Sequence, residues 1–458
     1  MSVAQRILIV GRGTAGTSLA RSIRESGGEV VGFLDDAVVD DEVLGTLADA
    51  SRVIAQHEVG MVYFAIPSVD AGVLRSFLDS VDSDHVEIAI VPRTYRTLAK
   101  EQVDLSDLTD VDVLDLVGRK PVKHDLLESA AFLRGQRVLV TGAAGSIGST
   151  LVRQIATMDP DAIVCVDWWE NGMFFLEQEF ADDPRISYHV ADVKSSARLK
   201  AVFAEMRPTV VFHAAAYKHV PMMQRDPVEA INNNIGGSVA VMRTAVEAGV
   251  RHVVYVSTDK AVNPVNVMGA TKRIGEIAMT DLARHSSATS LTAVRFGNVI
   301  ESNGSVMQTF RSQLARRAPL TVTDPEVTRF FMTLDEAAQL VIQSAFIGAS
   351  GDIFVLDMGE PVRIMDLAAS LSRLVDPPAD IEIIGLRPGE KMYEELSYEP
   401  DRIAPTRNPK IFAVTDDVVT DPTAFMLGVA DLLERAQRFE ISRAEIVDAL
   451  RVLGFAIR

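Results

Sequence analysis

The sequence predicts an α/β protein built from two doubly wound parallel-sheet domains, the second carrying a smaller C-terminal lobe. Three observations carry that prediction. Apolar strand-length runs alternate with helical patterns twice along the chain, each series opens with a glycine-rich loop between its first strand and first helix, and the rhythm loosens after about Asn298. Alternation of this kind means a parallel sheet covered by helices on both faces.

In the first block, strands are read at Ile7–Val10, Glu29–Phe33, Met61–Ile66 and Val86–Val91, with a helix after the first running to about Glu25. The loop Gly11-Arg-Gly13-Thr-Ala-Gly16 lies between the first strand and its helix, and Asp35-Asp36 closes the second strand. That is the context a dinucleotide-binding unit requires, although a fold unit does not name a ligand. From Glu101 to Lys123 the chain turns acidic and irregular, with a break at Gly118-Arg-Lys-Pro121, and a connecting helix is expected over Asp125–Leu133. These features divide the chain into residues 1–100, a linker and helix over 101–134, a second domain over 135–298 and a terminal lobe over 299–458.

The second block begins at Arg137. Its strands are read at Val138–Thr141, Ala162–Val166, Ser187–Val190, Val210–His213, His252–Val256 and Leu291–Arg295, with one long helical pattern, Pro227–Ala248, between the fourth and fifth. In the last lobe a strand pair is expected around Asp352–Asp357 and Ile381–Ile384. No short-period repeat is visible; the two halves resemble two nucleotide-fold units rather than a solenoid.

At 458 residues the chain suggests two or three domains, and 48% hydrophobic residues can fill their cores. The 45 basic and 63 acidic residues leave a net charge of −18, which disfavours nucleic acid as a partner, because such binding works by neutralising phosphates. An anionic ligand must then meet a local basic pocket. Cys165 is the only cysteine, so neither an intrachain disulfide nor a cysteine-based metal site can form. No apolar run approaches the roughly 20 residues of a membrane span, and no signal-peptide pattern opens the chain. A soluble cytoplasmic protein is expected.

Chemistry concentrates at strand ends of the second block. Gly142-Ala-Ala-Gly145-Ser146-Ile147-Gly148 follows a strand and opens a helix, so backbone N–H groups and the helix dipole face a pyrophosphate. Asp167 lies nineteen residues past Gly148, where a carboxylate accepts ribose hydroxyls and repels a 2′-phosphate, favouring NAD over NADP. Asp192 and Val193 end the third strand and are placed to hold the adenine edge; Ala214 and Ala215 end the fourth and let backbone approach the cofactor. The fifth strand leads into Ser257-Thr-Asp-Lys-Ala-Val-Asn-Pro264 and then Met268-Gly-Ala-Thr-Lys272. Thr258, Asp259 and Lys260 are the acid–base candidates there, with helix capping as the blander reading of the first two. Met268 stands where a Tyr-x-x-x-Lys arrangement would place its Tyr, and Met has no proton to exchange.

By these residues the chain resembles the extended short-chain dehydrogenase/reductase superfamily, which implies Rossmann-like domains. Within it the chain is similar to the UDP-N-acetylglucosamine 4,6-dehydratases of bacterial polysaccharide biosynthesis. The resemblance covers about Asp125–Asn408 and rests also on His213-Ala-Ala-Ala-Tyr-Lys-His-Val-Pro-Met222, Arg295-Phe-Gly-Asn-Val299, Thr328-Arg-Phe-Phe-Met332 and Arg387-Pro-Gly-Glu-Lys391. Met in place of Tyr marks the larger branch with an N-terminal nucleotide-fold domain. Members of that branch usually carry membrane helices ahead of it, so this chain looks like a soluble version.

The resemblance implies a redox-neutral cycle with tightly held NAD: oxidation at C4 of a UDP-N-acetylhexosamine, loss of water across C5 and C6, and reduction at C6. It implies Lys260 as the C5 base, with a pKa lowered by burial and by Lys272, and Asp259 as the acid for the departing C6 hydroxyl. Thr258 would bond the C4 oxygen, and Lys272 would hold the nicotinamide ribose and aid C4-hydroxyl deprotonation. Arg329, Arg387 and Glu390 resemble positions that grip the UDP moiety, a role suited to planar guanidinium donors. Lys218 and His219, beside Tyr217, lie near the substrate; Asn298 reaches the sugar or diphosphate, and Asn234 holds backbone. The helices Pro227–Ala248 and that beginning near Gly269 are expected to pair two copies. Two departures bear on ligands: Glu301 replaces a common Gly beside the sugar pocket, and Trp168-Trp169 replace small polar residues after the ribose-binding Asp.

Overall fold

The computed structural model describes residues 6–66, 71–81, 86–90, 109–110, 126–300, 302–373, 377–396, 402–414 and 421–458. Most of the expected linker, Asp125 and Glu301 lie outside them. The chain divides into two compact units: residues 1–120 with 309–325 and 362–384, and residues 121–308 with 326–361 and 385–458.

In the first unit the strands are β1 (Arg6–Val10), β2 (Glu29–Leu34), β3 (Val43–Gly45), β4 (Met61–Phe64), β5 (Glu87–Ile90) and β6 (Thr109–Asp110). Their order is β3-β2-β1-β4-β5-β6, parallel except for β6. Ile7, Ile9, Leu19, Ile23 and Phe33 pack its core, where the apolar stripe of helix Thr14–Glu25 meets β1 and β2. The four expected strands are present, and the short β3 and β6 add to them. Asp35 accepts the Arg12 amide at 2.7 Å and those of Ala37 and Val38 at 2.8 Å each.

The second unit contains β7 (Arg137–Thr141), β8 (Ala162–Asp167), β9 (Ile186–Val190), β10 (Val210–His213), β11 (His252–Val256) and β12 (Ser290–Arg295). Across the sheet the order is Ile403–Pro405, Ile411–Val414, Ile353–Leu356, β12, β11, β10, β7, β8, β9. The two outermost strands beyond Ile353–Leu356 pair antiparallel and the rest pair parallel. Side chains alternate with the strand period of two. Leu139, Val164, Val211 and Val253 join one buried cluster, whereas Val138, Val140, Cys165, Phe212 and Val254 join the other. The reversal of strand order between β7 and β10 opens a crevice at the carboxyl ends, the place where such sheets bind ligands.

Two expectations need correction. Ile353–Leu356 and Ile381–Ile383 do not pair: the former extends the nine-stranded sheet beside β12, and the latter lies parallel to Leu320–Val322 in the first unit. Both are short apolar runs, and such runs carry no record of their partner. The helical pattern Pro227–Ala248 is helical throughout, but residues Ile231–Gly237 form a π-helical stretch between Pro227–Ala230 and Ser238–Glu247. The C-terminal helices Pro422–Gln437 and Arg443–Val452 pack against this region: Asn232 donates to the Ala436 carbonyl at 3.2 Å, and Phe425, Val429, Leu432, Ile446 and Leu450 join the same core cluster as Ile231 and Ile274. No helix among the described residues is long and apolar enough to cross a membrane.

Candidate active site

The glycine loop after β7 is held by contacts that only glycine permits. Gly142 has φ of 69°, and a Cβ there would stand 2.7 Å from the Ala215 amide nitrogen and 2.8 Å from the Ala214 carbonyl carbon. A Cβ on Gly148 would stand 1.9 Å from the Gly142 carbonyl oxygen. Gly145 caps the helix Ser146–Ala156, so the amides of Ser146, Ile147 and Gly148 belong to its first turn and have no intrahelical acceptor. The Ser146 hydroxyl accepts the Asn303 amide at 3.0 Å.

Asp167 ends β8, buried, with Oδ2 accepting the Ala144 amide at 3.0 Å and Oδ1 the Trp169 amide at 2.9 Å. Burial pushes its carboxyl above the usual range, opposed by those N–H groups. Asp192 accepts the Lys194 amide, and Val193 packs against Gly237 of the π-helical stretch. Trp169 lies along its own helix, where a Cβ on Gly172 would meet the ring at 2.3 Å; Trp168 is 60% exposed. The cradle that any side chain would fill, together with the Asp167 carboxylate beside it, fits a bound dinucleotide.

Beyond β11, Thr258 caps a single 3-10 turn, Asp259–Ala261, accepting the Lys260 amide at 3.4 Å while donating to Asp259 Oδ1 at 2.8 Å. Thr258 therefore caps the turn and hydrogen-bonds the Asp259 carboxylate at once. Lys260 Nζ donates to Asp259 Oδ1 at 3.0 Å and to Asn298 Oδ1 at 3.1 Å, and lies 3.6 Å from Glu394 Oε1. Asp259 is fully buried, and its Oδ2 has no hydrogen-bond partner among the described residues. The expected depression of Lys260 is reversed. Burial pulls its ammonium down, but the carboxylates of Asp259 and Glu394 outweigh burial and hold it above the ordinary lysine range. Arg329 opposes them.

Lys272 is the lysine with the depressed pKa. Burial brings it to about 7, only partly offset by Glu276, and its Nζ sits 4.0 Å from the Tyr255 ring centroid. One turn earlier, Met268 is buried in the core cluster. Asn266 caps that helix by accepting the Gly269 amide at 2.7 Å. Beneath Tyr255, His213 bridges the hydroxyls of Thr141 at 2.6 Å and Ser238 at 2.9 Å, and burial lowers its pKa to about 3. Glu276 is fully buried between Arg295, at 2.8 and 2.6 Å, and Arg273, at 3.1 Å, and accepts Ser257 Oγ at 2.6 Å. This network anchors the strand end carrying Thr258. Sequence reasoning misses it: Ser257 and Arg295 are visible there only as members of motifs, and Arg273 and Glu276 carry no signal.

The expected substrate residues separate into two groups. Arg329 spends its donors on backbone carbonyls: Nη1 on those of Thr328 at 2.7 Å and Met392 at 3.1 Å, and Nη2 on that of Lys391 at 2.9 Å. It staples the Arg387–Lys391 segment and is not an exposed cation. Arg387 is exposed, and its amide donates to Glu390 Oε2 at 3.0 Å. Asn298 is tied to Lys260. Asn234 accepts the Tyr217 amide at 2.8 Å and donates to its carbonyl at 3.0 Å, so it holds backbone as expected and fixes the loop leading to Lys218 and His219. His219 packs on Gly304, where a Cβ would meet its ring at 2.3 Å.

Residues 138–416 match the family described as polysaccharide biosynthesis protein. The chain is 40% identical over 409 residues to the capsular polysaccharide biosynthesis protein CapD of Staphylococcus aureus, covering 85% of this chain and 68% of CapD. The chain belongs to this family. It lies within the extended short-chain dehydrogenase/reductase superfamily of epimerases and dehydratases. Among solved structures it is similar to Pen from Bacillus thuringiensis, with 34% identity, a TM-score of 0.58, and coverage of 62% of this chain and 91% of Pen. The fold is shared with the UDP-glucose 4-epimerase of Thermus thermophilus in complex with NAD, at 21% identity and a TM-score of 0.51, over 57% of this chain and 90% of that one.

Proposed function

We propose that this protein is a nucleotide-sugar 4,6-dehydratase that converts UDP-N-acetylglucosamine, or a close UDP-N-acetylhexosamine, to the 4-keto-6-deoxy sugar. The observation that carries the reading is the Asp259–Lys260 pair, 3.0 Å apart at the end of β11 in the sheet that carries the glycine cradle, with Met268 in place of a Tyr. NAD, when bound, supplies oxidation at C4 and the reduction that completes the product at C6. Gly142, Gly145, Ser146, Ile147 and Gly148 cradle its pyrophosphate; Asp167 accepts its ribose hydroxyls, with Asp192, Val193, Ala214 and Ala215 lining the adenosine and nicotinamide sides. Arg387 and Glu390 take the UDP diphosphate and ribose, Lys218 and His219 approach the sugar, and Arg329 positions their loop.

The chain's own acid–base step needs one proton shared by two residues. In the resting pair it sits on Lys260; in the reactive form it sits on Asp259 and the amine is neutral. Once C4 is a ketone, the C5 hydrogen is acidic enough for an amine to take. The C5 proton then passes to Lys260, the Asp259 proton passes to the C6 hydroxyl, and the C6–O bond breaks with loss of water. That returns the pair to its ion-pair form; as C6 is reduced, Lys260 gives a proton back to C5, and the proton taken from the C4 hydroxyl restores the pair. Lys272, with its pKa near neutrality, receives the C4-hydroxyl proton, and Thr258 donates to the C4 oxygen.

Incubation with UDP-N-acetylglucosamine followed by mass spectrometry tests the reading. Loss of one water supports a dehydratase, isomerisation at constant mass would assign an epimerase instead, and unchanged substrate with NAD bound would leave a non-catalytic sensor.

A further inference from the structure

Glu394 stands outside every motif discussed so far, yet its side chain is almost wholly buried beside the acid–base pair. Its Oε1 lies 3.6 Å from Lys260 Nζ and 3.9 Å from Arg329 Nε, while its Oε2 is buried with no hydrogen-bond partner among the described residues. A buried carboxylate oxygen without a donor is costly. Hydrogen bonding to Oε2 does not account for the position of Glu394; the two cations that face Oε1 do. Its backbone position is fixed in turn, because Arg329 grips the carbonyls of Lys391 and Met392 just before it.

We propose that Glu394 is a positioning residue for Lys260: its carboxylate holds the lysine ammonium against Asp259 and Asn298 and biases the shared proton toward Lys260. This rests on the acid–base reading of Asp259 and Lys260 above. Among the described residues, four charged groups face Lys260 most strongly: Asp259 from its own turn, Glu394 and Arg329 from the terminal segment and the strand Thr328–Arg329, and Lys218 from the loop after β10. Asp259 must give up its negative charge to act as an acid, so at that moment Glu394 is the only one of the four that still opposes release of the lysine's proton. Removing its charge leaves the neutral amine populated at lower pH. An opposite charge at this distance shifts a pKa by about 1–3 units.

The test reads Lys260 directly and does not depend on turnover. The intact protein, wild type, Glu394→Gln and Glu394→Asp, is labelled with acetic anhydride across a range of about pH 6–11, wide enough to hold a lysine midpoint and its shift, and modification of Lys260 is followed by peptide mass spectrometry. The expected result is a labelling midpoint lower by about 1–3 pH units in Glu394→Gln and restored in part by Glu394→Asp. In the same Glu394→Gln protein, the alkaline limb of the kcat profile for dehydration, where the pair loses its one shared proton, moves to lower pH by a similar amount. An unchanged midpoint in a Glu394→Gln protein with wild-type Tm overturns the proposal. A shifted midpoint in a protein that does not dehydrate the sugar leaves Glu394 assigned and overturns the dehydratase reading instead.

Discussion

The carbonyl oxygen of Lys260 packs against Gly269 so closely that a Cβ there would lie 2.2 Å from it. The turn carrying Asp259 and Lys260, the proposed acid–base pair, and the helix carrying Met268 and Lys272 are therefore fixed to each other through backbone, and the residue after Met268 has no room for a side chain. Gly269→Ala would force the two apart by an ångström or more. Positioning errors of about 1 Å cost about 10²-fold in rate. Gly269→Ala should therefore lower kcat by roughly that factor, and a kcat within twofold of wild type would mean that the turn yields without consequence.

Glu276 offers a stability test separate from turnover. Burial alone would raise its carboxyl, but Arg295, then Arg273 and the Ser257 hydroxyl, bring it below the usual range. Its folded pKa thus lies below the unfolded value of about 4.3. The stabilisation it gives is fully present above that value and is lost as pH falls through the folded value. Glu276→Gln leaves Arg273 and Arg295 in the core without their anion, a change that costs about 3–5 kcal/mol. Urea unfolding at about pH 7 should show that loss, and the gap from wild type should narrow as the pH is taken below about 4.

Asp167 is committed to two backbone amides as well as to the proposed ribose. Asp167→Ala should reduce the NAD recovered from denatured protein and weaken its rebinding by about 10-fold or more, since hydrogen bonds to a charged acceptor contribute about 1.5–3 kcal/mol. Equal NAD affinity in the variant, measured by calorimetry, would remove Asp167 from the cofactor site.

How much of this is legible in the sequence follows from which interactions are local. Strand periodicity and the glycine loops are short-range signals, so the longer strands through β12 and the cradle at Gly142–Gly148 can be read directly, whereas the two- and three-residue strands β3 and β6 are too short to show a period. Glu394 meets Lys260 from a segment far along the chain, and nothing in the Lys391–Glu395 run distinguishes it from its exposed neighbour Glu395. The same limit explains the reversed expectation for Lys260. Burial is foreseeable from its place after a buried strand, but the second carboxylate that outweighs burial arrives from a distant segment. Ile381–Ile383 is misplaced for the same reason, since a short apolar strand specifies no neighbour.

The assignment of Lys260 is open to an isotopic test that also distinguishes it from Lys272. Removal of the C5 proton by a base that exchanges with solvent places deuterium at C5 when the reaction runs in D₂O. Wild-type product should carry that label. Lys260→Ala removes the acceptor of the C5 proton and leaves Asp259 without its cation, so dehydration should fall by about 10²–10⁴-fold, the usual contribution of a positioned base, with NAD still bound. No C5 label should accumulate in recovered substrate. Asp259→Asn removes only the acid: water loss should fall, while C5 exchange persists in part because Lys260 is retained. If Lys260→Ala keeps wild-type dehydration and labelling, the base lies elsewhere, and Lys272, with its pKa of about 7, is the residue to substitute next.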